Sequence, residues 1–216
     1  MMESRLLSET SAALDWSAPY AERKKYYVSI KRLADIAFSL AGLLLSSPLL
    51  LAAMAAIYAE SPGPVFYVQE RVGWKGSLFK VIKLRSMRLD AEKNGAQWAE
   101  KNDPRITKVG SFLRKTRIDE IPQLINVLRG EMSLIGPRPE RPVFVARFNE
   151  EIPGFVGRLL VKPGLTGWAQ INGGYEITPR EKLELDMYYI QHFSFRLDMK
   201  ILLRTVKVVL TGDGAR

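Results

Sequence analysis

An uncharged stretch of 24 residues, IAFSLAGLLLSSPLLLAAMAAIYA from Ile36 to Ala59, restricts the possible folds of this chain more than any other feature. A membrane-spanning helix needs about 20 such residues, so length alone favours a span. However, Ser46, Ser47 and Pro48 lie at the midpoint, and a proline inside a helix removes a backbone donor and bends the chain. Each half is then about 12 residues or roughly 18 Å long, which is too short for a hydrocarbon core of about 30 Å.

Basic residues precede and follow the stretch, whereas the positive-inside rule predicts an excess on one side of a true span. They are Arg23, Lys24, Lys25, Lys31 and Arg32 before it, and Arg71, Lys75, Lys80, Lys83 and Arg85 after it. We therefore predict a re-entrant helix-break-helix hairpin that breaks at Ser47 and Pro48, enters one leaflet and returns. We expect the serine hydroxyls to bond carbonyls freed by the break. Asp35 is expected to pair with Lys31 or Arg32 on one helical face.

Three other interpretations of the stretch stay open. A straight span with a kink has the same length and composition, and a helical hairpin buried in a soluble protein would also be apolar. A signal peptide fits less well, because the charged lead is too long and the apolar run exceeds a normal hydrophobic region.

The charge and the missing residue types limit the chemistry. The formal net charge is +9, which indicates an acidic partner: nucleic acid, an anionic membrane surface or a phosphorylated substrate. The chain has no cysteine, which excludes a disulfide scaffold, a thiolate nucleophile and a cysteine-ligated metal. The single histidine, His192, cannot build a multi-histidine metal site.

The domain organisation follows from these segments. We predict a polar, loosely ordered tail over residues 1–22, a membrane-associated hairpin over 23–60, and a cytosolic catalytic domain lying on the membrane surface over 61–216. The fold class is α+β and mainly helical, with the re-entrant hairpin, a small β-hairpin and interfacial amphipathic helices.

Within residues 61–216, the strand-like segments VFYVQ and LFKVIKL flank Gly73 and Gly76 and predict the β-hairpin. Apolar residues at helical spacing predict two helices before Gly130, which is a good helix terminator. SLIGPRPERP is too rich in proline for a helix and predicts an irregular loop. FRLDMKILLRTVKVVL predicts a basic amphipathic helix near the C-terminus, with a face suited to anionic lipid.

RKTRIDEIPQL places two carboxylates, Asp119 and Glu120, behind a basic cluster and just before Pro122, which suits the first turn of a helix. The simplest interpretation is an N-cap aspartate with a helpful neighbour, since the helix dipole stabilises anions there. Helix N-termini also bind phosphate, and an aspartate on Mg²⁺ facing a phosphate is a workable phosphoryl-transfer site. The cations that would hold the phosphate are Arg114, Lys115 and Arg117.

Several motifs agree with one known family. KRLAD leads into the apolar segment, followed by SPGPVFYVQERVG, FKVIKLRSM, DPRITKVGSFLRKTRIDEIPQLINVLRGEMSLIGPRPERP and KPGLTGWAQING. Together they resemble the bacterial sugar transferase family, the small monotopic phosphoglycosyl transferases. The resemblance runs from about Lys31 to the C-terminus and shows no departure at the catalytic stretch.

The resemblance implies a reaction and a place for it. The family transfers a sugar 1-phosphate from a UDP-sugar to polyprenyl (undecaprenyl) phosphate, with Mg²⁺ required and UMP released, as the first membrane step of surface glycan synthesis. The protein would be monotopic on the cytoplasmic face of the bacterial inner membrane. Its expected partners are the two substrates, anionic phospholipid and, in a homodimer, a second copy; no nucleic acid is expected.

The resemblance also implies roles for individual residues. Asp119 would be the nucleophile that forms a covalent phosphosugar-aspartate, and would also contact the metal. Glu120 would act as a base or hold the metal and acceptor, and Arg138 would hold the nucleotide. The remaining candidate phosphate-binding residues are Lys83, Arg85, Arg114 and Arg117.

Two further functional interpretations stay open. A non-catalytic, membrane-anchored scaffold protein of a glycan assembly complex would use the same anchor without needing Asp119. A basic nucleic-acid binder would account for the charge but not for the apolar stretch.

Overall fold

The computed structural model describes residues 25–93, 95, 103–173 and 177–211, so the tail predicted for residues 1–22 lies outside it. The described part is mainly helical and carries two small two-stranded sheets, in agreement with the predicted fold class. The helices are α1 (Lys25–Glu60), α2 (Lys108–Thr116), α3 (Gln123–Arg129), α4 (Pro142–Glu151), α5 (Trp168–Asn172), α6 (Pro179–His192) and α7 (Phe195–Thr211). The strands are β1 (Phe66–Val72), β2 (Leu78–Leu84), β3 (Ser133–Ile135) and β4 (Gly164–Thr166).

Helix α1 has 36 residues and is about 54 Å long. Within the described residues it is the one helix long and apolar enough to cross a membrane, judged by length and composition. Only 11% of its most apolar window is buried, and Leu44 and Leu45 are 75% and 80% exposed. The soluble alternative, a hairpin buried in a protein core, is therefore wrong.

The backbone of α1 is helical through Ser47 and Pro48. Pro48 has no N–H, so the carbonyl oxygen of Leu44 lacks its usual helical donor. The hydroxyl of Ser47 donates to that oxygen at 2.8 Å, and the hydroxyl of Ser46 donates to the carbonyl oxygen of Gly42 at 2.6 Å. The predicted use of the serine hydroxyls is confirmed for Ser47, whereas Ser46 bonds a carbonyl that the proline does not free. The change of direction at this point stays a prediction.

The N-terminal part of α1 is attached to the rest of the chain by polar contacts. The ammonium of Lys31 lies 2.6 Å from the carboxylate of Asp198 in α7. The guanidinium of Arg32 donates to two carbonyls at the end of α3, at 2.5 and 2.8 Å. Asp35 accepts from the backbone N–H of Leu134 at 3.0 Å. The expected pairing of Asp35 with Lys31 or Arg32 is wrong, because each group has a partner on another element.

The C-terminal part of α1 is attached mainly by apolar contacts. Ala53 and Ile57 are buried against Leu84, Leu113 and Ile118. At the end of the helix, both oxygens of Glu60 accept from the first backbone amides of α2, at 2.8 and 3.0 Å. Glu60, the last residue of α1, therefore satisfies two backbone N–H groups at the start of α2, the helix that leads to the acid pair.

The predicted β-hairpin is confirmed, with β1 and β2 antiparallel and Tyr67 opposite Lys83. The free edge of β2 is covered by the buried side chain of Asn126 in α3. Its oxygen accepts from the N–H of Ile82 at 3.1 Å, and its nitrogen donates to the carbonyl of Lys80 at 2.7 Å. This contact fixes Lys83 relative to the helix that follows the acid pair.

The prediction of an irregular loop from Ser133 onward is only partly right. Residues 133–135 form β3, which pairs in parallel with β4, and the segment after it is irregular as expected. The two backbones come so close that a Cβ on Gly164 would lie 2.0 Å from the nitrogen of Gly136. The proline-rich loop and the segment GLTGWAQ are therefore side by side.

Candidate active site

A cavity of about 500 Å³ opens between the β-hairpin, the end of α2, the loop after β3, and helices α5 and α6. All the predicted catalytic and phosphate-binding residues line it: Lys83, Arg85, Arg114, Arg117, Asp119, Glu120 and Arg138. Ser47 and Pro48 lie in α1, outside the cavity wall. The fold thus brings together side chains that come from three separate sequence segments.

A reversal of the chain after α2 presents the acid pair. Arg117 ends the helix in the left-handed region, at φ 61, which is uncommon for a residue with a side chain. A single 3₁₀ turn, Ile118–Glu120, follows, and Ile118 packs into the core. The acids lie just before a helix, as predicted, but Pro122 occupies the capping position of α3, so neither acid is its N-cap.

Glu120 is buried at 8% exposure and committed to cations. Its oxygens pair with Lys83 at 2.8 Å, with Arg138, and more distantly with Arg117 at 4.0 Å. Burial alone would raise its pKa, but Arg138 and Lys83 outweigh burial and hold the pKa of Glu120 well below its ordinary value. Glu120 is therefore an anion that holds two cations in the cavity.

Asp119 differs from its neighbour although it is equally buried, at 6% exposure. Its Oδ1 has no hydrogen-bond partner among the described residues. Burial, together with the charge of Glu120, raises the pKa of Asp119 to about 6, against the opposing effect of Lys83 and Arg114. Asp119 is thus mostly ionised at neutral pH while one oxygen stays free for a ligand.

Arg85 provides a second buried polar atom that has no hydrogen-bond partner among the described residues. The side chain is buried, and one guanidinium nitrogen donates to the carbonyl of Ser61, just after α1. The other, Nη1, is buried without a partner among the described residues. A buried cation with an unused donor is suited to an anion brought by a ligand.

Several cavity residues were not assigned to the site from the sequence, namely Arg71, Arg88, Arg105, Glu140, Arg141 and Lys182. Among the described lining residues, ten are basic and four are acidic, so the cavity is suited to polyanions. Glu140 pairs with Lys182 and with Arg71. Burial would raise the pKa of Glu140, but Lys182 and its cationic neighbours lower it to about 2. Arg71 and Glu140 do lie in motifs that carried the family resemblance.

The loop that carries Arg138 is supported from behind by a buried ion pair. Arg158 lies 2.6 Å from Asp186, and it also donates to the carbonyl oxygen of Arg138 at 2.8 Å. Sequence reasoning missed both residues, which are 28 positions apart and sit in no pattern that pairs them.

The described residues contain no group of three or more side chains that could hold a metal ion. Mg²⁺ usually takes one or two carboxylates and completes its shell with substrate phosphates and water. The free, buried Oδ1 of Asp119 fits that donor set, while the oxygens of Glu120 are already paired with cations. The residues present therefore fit a metal that takes one ligand from Asp119 and the others from a bound diphosphate and water.

A long exposed apolar helix beside a cationic cavity with an uncommitted carboxylate is the arrangement expected of a membrane-associated enzyme acting on phosphorylated substrates. The chain matches the family described as "Bacterial sugar transferase" over residues 26–212. It belongs to that family, as its motifs predict.

Named relatives are similar over most of the chain. It is 49% identical to the UDP-N-acetylgalactosamine-undecaprenyl-phosphate N-acetylgalactosaminephosphotransferase of Aeromonas hydrophila, over 88% of this chain and 46% of that protein. It is 44% identical to the UDP-glucose:undecaprenyl-phosphate glucose-1-phosphate transferase of Escherichia coli K12, over 82% and 39%. For a protein of the same name in Caulobacter vibrioides the identity is 43%, over 86% and 71%. The chain thus spans less than half the length of the first two relatives.

Proposed function

We propose that this chain is a phosphoglycosyl transferase that moves a sugar 1-phosphate from a UDP-sugar to undecaprenyl phosphate and releases UMP. The observation that carries the proposal is the contrast within the acid pair. Asp119 has a free buried oxygen and a raised pKa, whereas Glu120 is fully paired. The names of the relatives support the same reaction.

The reaction proceeds in two displacements at one phosphorus atom. The Asp119 carboxylate attacks the phosphorus that bears the sugar, and the bond from that phosphorus to the bridging oxygen of UMP breaks. UMP leaves, and the phosphosugar remains on Asp119. An oxygen of undecaprenyl phosphate then attacks the same phosphorus, the aspartyl oxygen–phosphorus bond breaks, and the carboxylate is restored.

Glu120 acts by holding cations rather than as a base. Its pKa is lowered and its oxygens are paired, so it is poorly suited to accept a proton at neutral pH. By fixing Lys83 and Arg138 it holds their positive charges beside the diphosphate, where negative charge grows during transfer. Bound Mg²⁺, held by Asp119 and the phosphates, would supply further neutralisation of that charge.

Arg85 is placed to hold the phosphate of the lipid acceptor. Its anchoring carbonyl belongs to Ser61, the first residue after α1, so Arg85 lies beside the helix that we propose enters the leaflet. A polyprenyl phosphate keeps its tail in the leaflet and its charged head at the interface. Arg114 and Arg117 complete the cationic wall on the side of the acid pair.

The attachment of α1 supports a monotopic arrangement on the cytoplasmic face of the bacterial inner membrane. Lys31 and Ala53 are about 33 Å apart along the helix, yet both contact the same globular part. A straight span would place these positions on opposite sides of a core about 30 Å thick. We therefore propose that residues 23–60 enter one leaflet and return, and that residues 61–216 lie on the membrane surface.

UMP release tests the reaction. Detergent-solubilised protein is incubated with undecaprenyl phosphate, Mg²⁺ and each of several UDP-sugars, including UDP-N-acetylgalactosamine and UDP-glucose. We expect release with at least one sugar, and none from Asp119→Asn; Glu150→Gln, an exposed acid, is the matched control. If no UDP-sugar in the panel gives UMP release, the proposal that the chain is an enzyme is rejected in favour of a non-catalytic scaffold.

Mass spectrometry tests the covalent step separately. Without acceptor, the wild-type protein should gain the mass of one phosphosugar, and the modified peptide should contain Asp119. A modification that persists in Asp119→Asn would assign the nucleophile to another residue.

The topology has an independent test. Tags placed after Tyr20 and at the C-terminus should both stay inaccessible from outside intact cells. Exposure of only one of them would mean that α1 crosses the bilayer.

A further inference from the structure

The described residues that line the cavity include three buried side-chain atoms without partners. They are Oδ1 of Asp119, Nη1 of Arg85 and Oε1 of Gln170. The proposed reaction uses the first as nucleophile and the second as an anion-binding donor. The third is a neutral acceptor, and nothing in the phosphate chemistry requires it.

Gln170 lies in α5, close to the loop that carries Arg138. Gly167, just before α5, packs against the loop so tightly that a Cβ there would lie 2.1 Å from the carbonyl oxygen of Gly136. Two residues after Gly136, the guanidinium of Arg138 pairs with Glu120. Gln170 and the acid pair therefore line one continuous cavity, with the Arg138 loop beside both.

The orientation of the Gln170 amide is fixed by its other contact. Nε2 donates to the carbonyl oxygen of Leu165 at 3.0 Å. Turning the amide over would bring two oxygens together, because a carbonyl has no hydrogen to donate. Oε1 is therefore the atom that stays without a partner.

Apart from Asp119, the carboxylates of the described cavity wall and the amide oxygen of Gln69 already have donors. Glu120 is bound by Lys83 and Arg138, and Glu140 by Arg71 and Lys182. The carboxylate of Glu92 receives donors from Tyr67, Gln69 and Arg141, and the amide oxygen of Gln69 accepts from Arg71. Since a phosphate at neutral pH is mainly an acceptor, Gln170 Oε1 is unsuited to bind one and needs an N–H or O–H group.

We infer that Gln170 accepts a hydrogen bond from an uncharged part of the UDP-sugar and so contributes to the choice of donor substrate. The inference rests on the proposed function. Two parts of the molecule carry the required donor: the uridine, through the N3–H of uracil or the ribose hydroxyls, and the transferred sugar, through its hydroxyl or acetamido groups. Either would satisfy an acceptor that is otherwise left buried and unpaired.

The test compares Gln170→Met, which keeps the length of the side chain and removes both the Oε1 acceptor and the Nε2 donor to Leu165, with Asn172→Leu on the same short helix, which also loses an amide donor to a backbone carbonyl. Asn172 is exposed and bonds to Trp168 and Arg204 instead of lining the cavity. We expect Gln170→Met to lower kcat/KM for the preferred UDP-sugar about 10-fold or more, mainly through KM. Asn172→Leu should match the wild-type protein, and both variants should unfold within a few degrees of it.

Inhibition by UMP distinguishes the two sources of the donor. If the uridine is the partner, the Ki of UMP rises with the KM, by a similar factor for every sugar. If the sugar is the partner, the Ki of UMP is unchanged and the loss differs among UDP-sugars. Wild-type KM values for the whole panel together with an unchanged Ki would overturn the inference. The wild-type protein would still release UMP in that case, so the proposed function would stand.

Discussion

Two aspartates are equally buried but differ in their hydrogen bonds. Asp198, at the junction of α1 and α7, is 5% exposed and accepts from Tyr27 at 2.5 Å, Lys31 at 2.6 Å and Tyr189 at 2.9 Å. Asp119, in the cavity, is 6% exposed and has an oxygen with no partner among the described residues. Buried polar groups are normally satisfied, so Asp198 serves to attach α1 to α7, whereas the unpaired oxygen of Asp119 is available to a ligand.

The largest expected effect comes from removing the unsatisfied carboxylate. Asp119→Asn should lower UMP release by about 10³-fold or more, because an amide cannot act as the nucleophile. The folded state raises the pKa of Asp119, so its ionised form opposes folding at pH 8. The melting temperature of Asp119→Asn at pH 8 should therefore equal or exceed that of the wild-type protein. A clear loss of stability would mean that Asp119 has a structural role like that of Asp198.

The satisfied carboxylate should behave in the opposite way. Asp198→Asn leaves Lys31 without its counter-ion and should destabilise the protein by about 3 kcal/mol, measured by urea unfolding in detergent. Activity per folded molecule should change little. The double variant Lys31→Met with Asp198→Leu should recover part of the loss, because no uncompensated charge is left buried; additive losses would contradict the pairing.

The pH dependence follows from the same contrast. As the pH falls through about 6, Asp119 becomes protonated, and kcat/KM should drop about 10-fold for each further unit. The raised pKa also means that the stability difference between wild type and Asp119→Asn should shrink as the pH is lowered. Activity that stays level down to pH 5 would show that the nucleophile has an ordinary carboxylate pKa.

The smallest expected effect concerns a backbone acceptor in α1. Ser47→Ala leaves the carbonyl oxygen of Leu44 without a donor, because Pro48 has no N–H, and should cost about 1 kcal/mol. Ser46→Ala is the matched control, since the carbonyl oxygen of Gly42 faces the ordinary backbone N–H four residues later. Thermal unfolding in detergent should show a larger loss of stability for Ser47→Ala than for Ser46→Ala. Equal losses would mean that the carbonyl oxygen of Leu44 does not depend on the Ser47 hydroxyl for its donor.

The sequence predicted much of the site because its chemistry is concentrated in contiguous motifs. RKTRIDEIPQL and the family resemblance were enough to bring Asp119, Glu120 and their cations to one cavity. The contacts that pair Glu120 with cations and leave an oxygen of Asp119 unpaired could not be predicted from the local sequence. Glu120 is satisfied by Arg138 from a loop and Lys83 from a strand, while Lys31 reaches Asp198 across 167 positions. No local periodicity encodes such pairs, and strands of three residues are too short to leave a pattern.

The junction at Glu60 has a consequence for the lipid environment. The carboxylate that ends α1 accepts from the first amides of α2, and α2 leads through Arg117 directly into the acid pair. With α1 in a bilayer, as we propose, a different acyl-chain length would change its tilt, and Glu60, α2 and Arg117 connect α1 to the acid pair. We expect turnover in vesicles to depend on membrane thickness, because a change in the depth of α1 would move the carboxylate of Asp119.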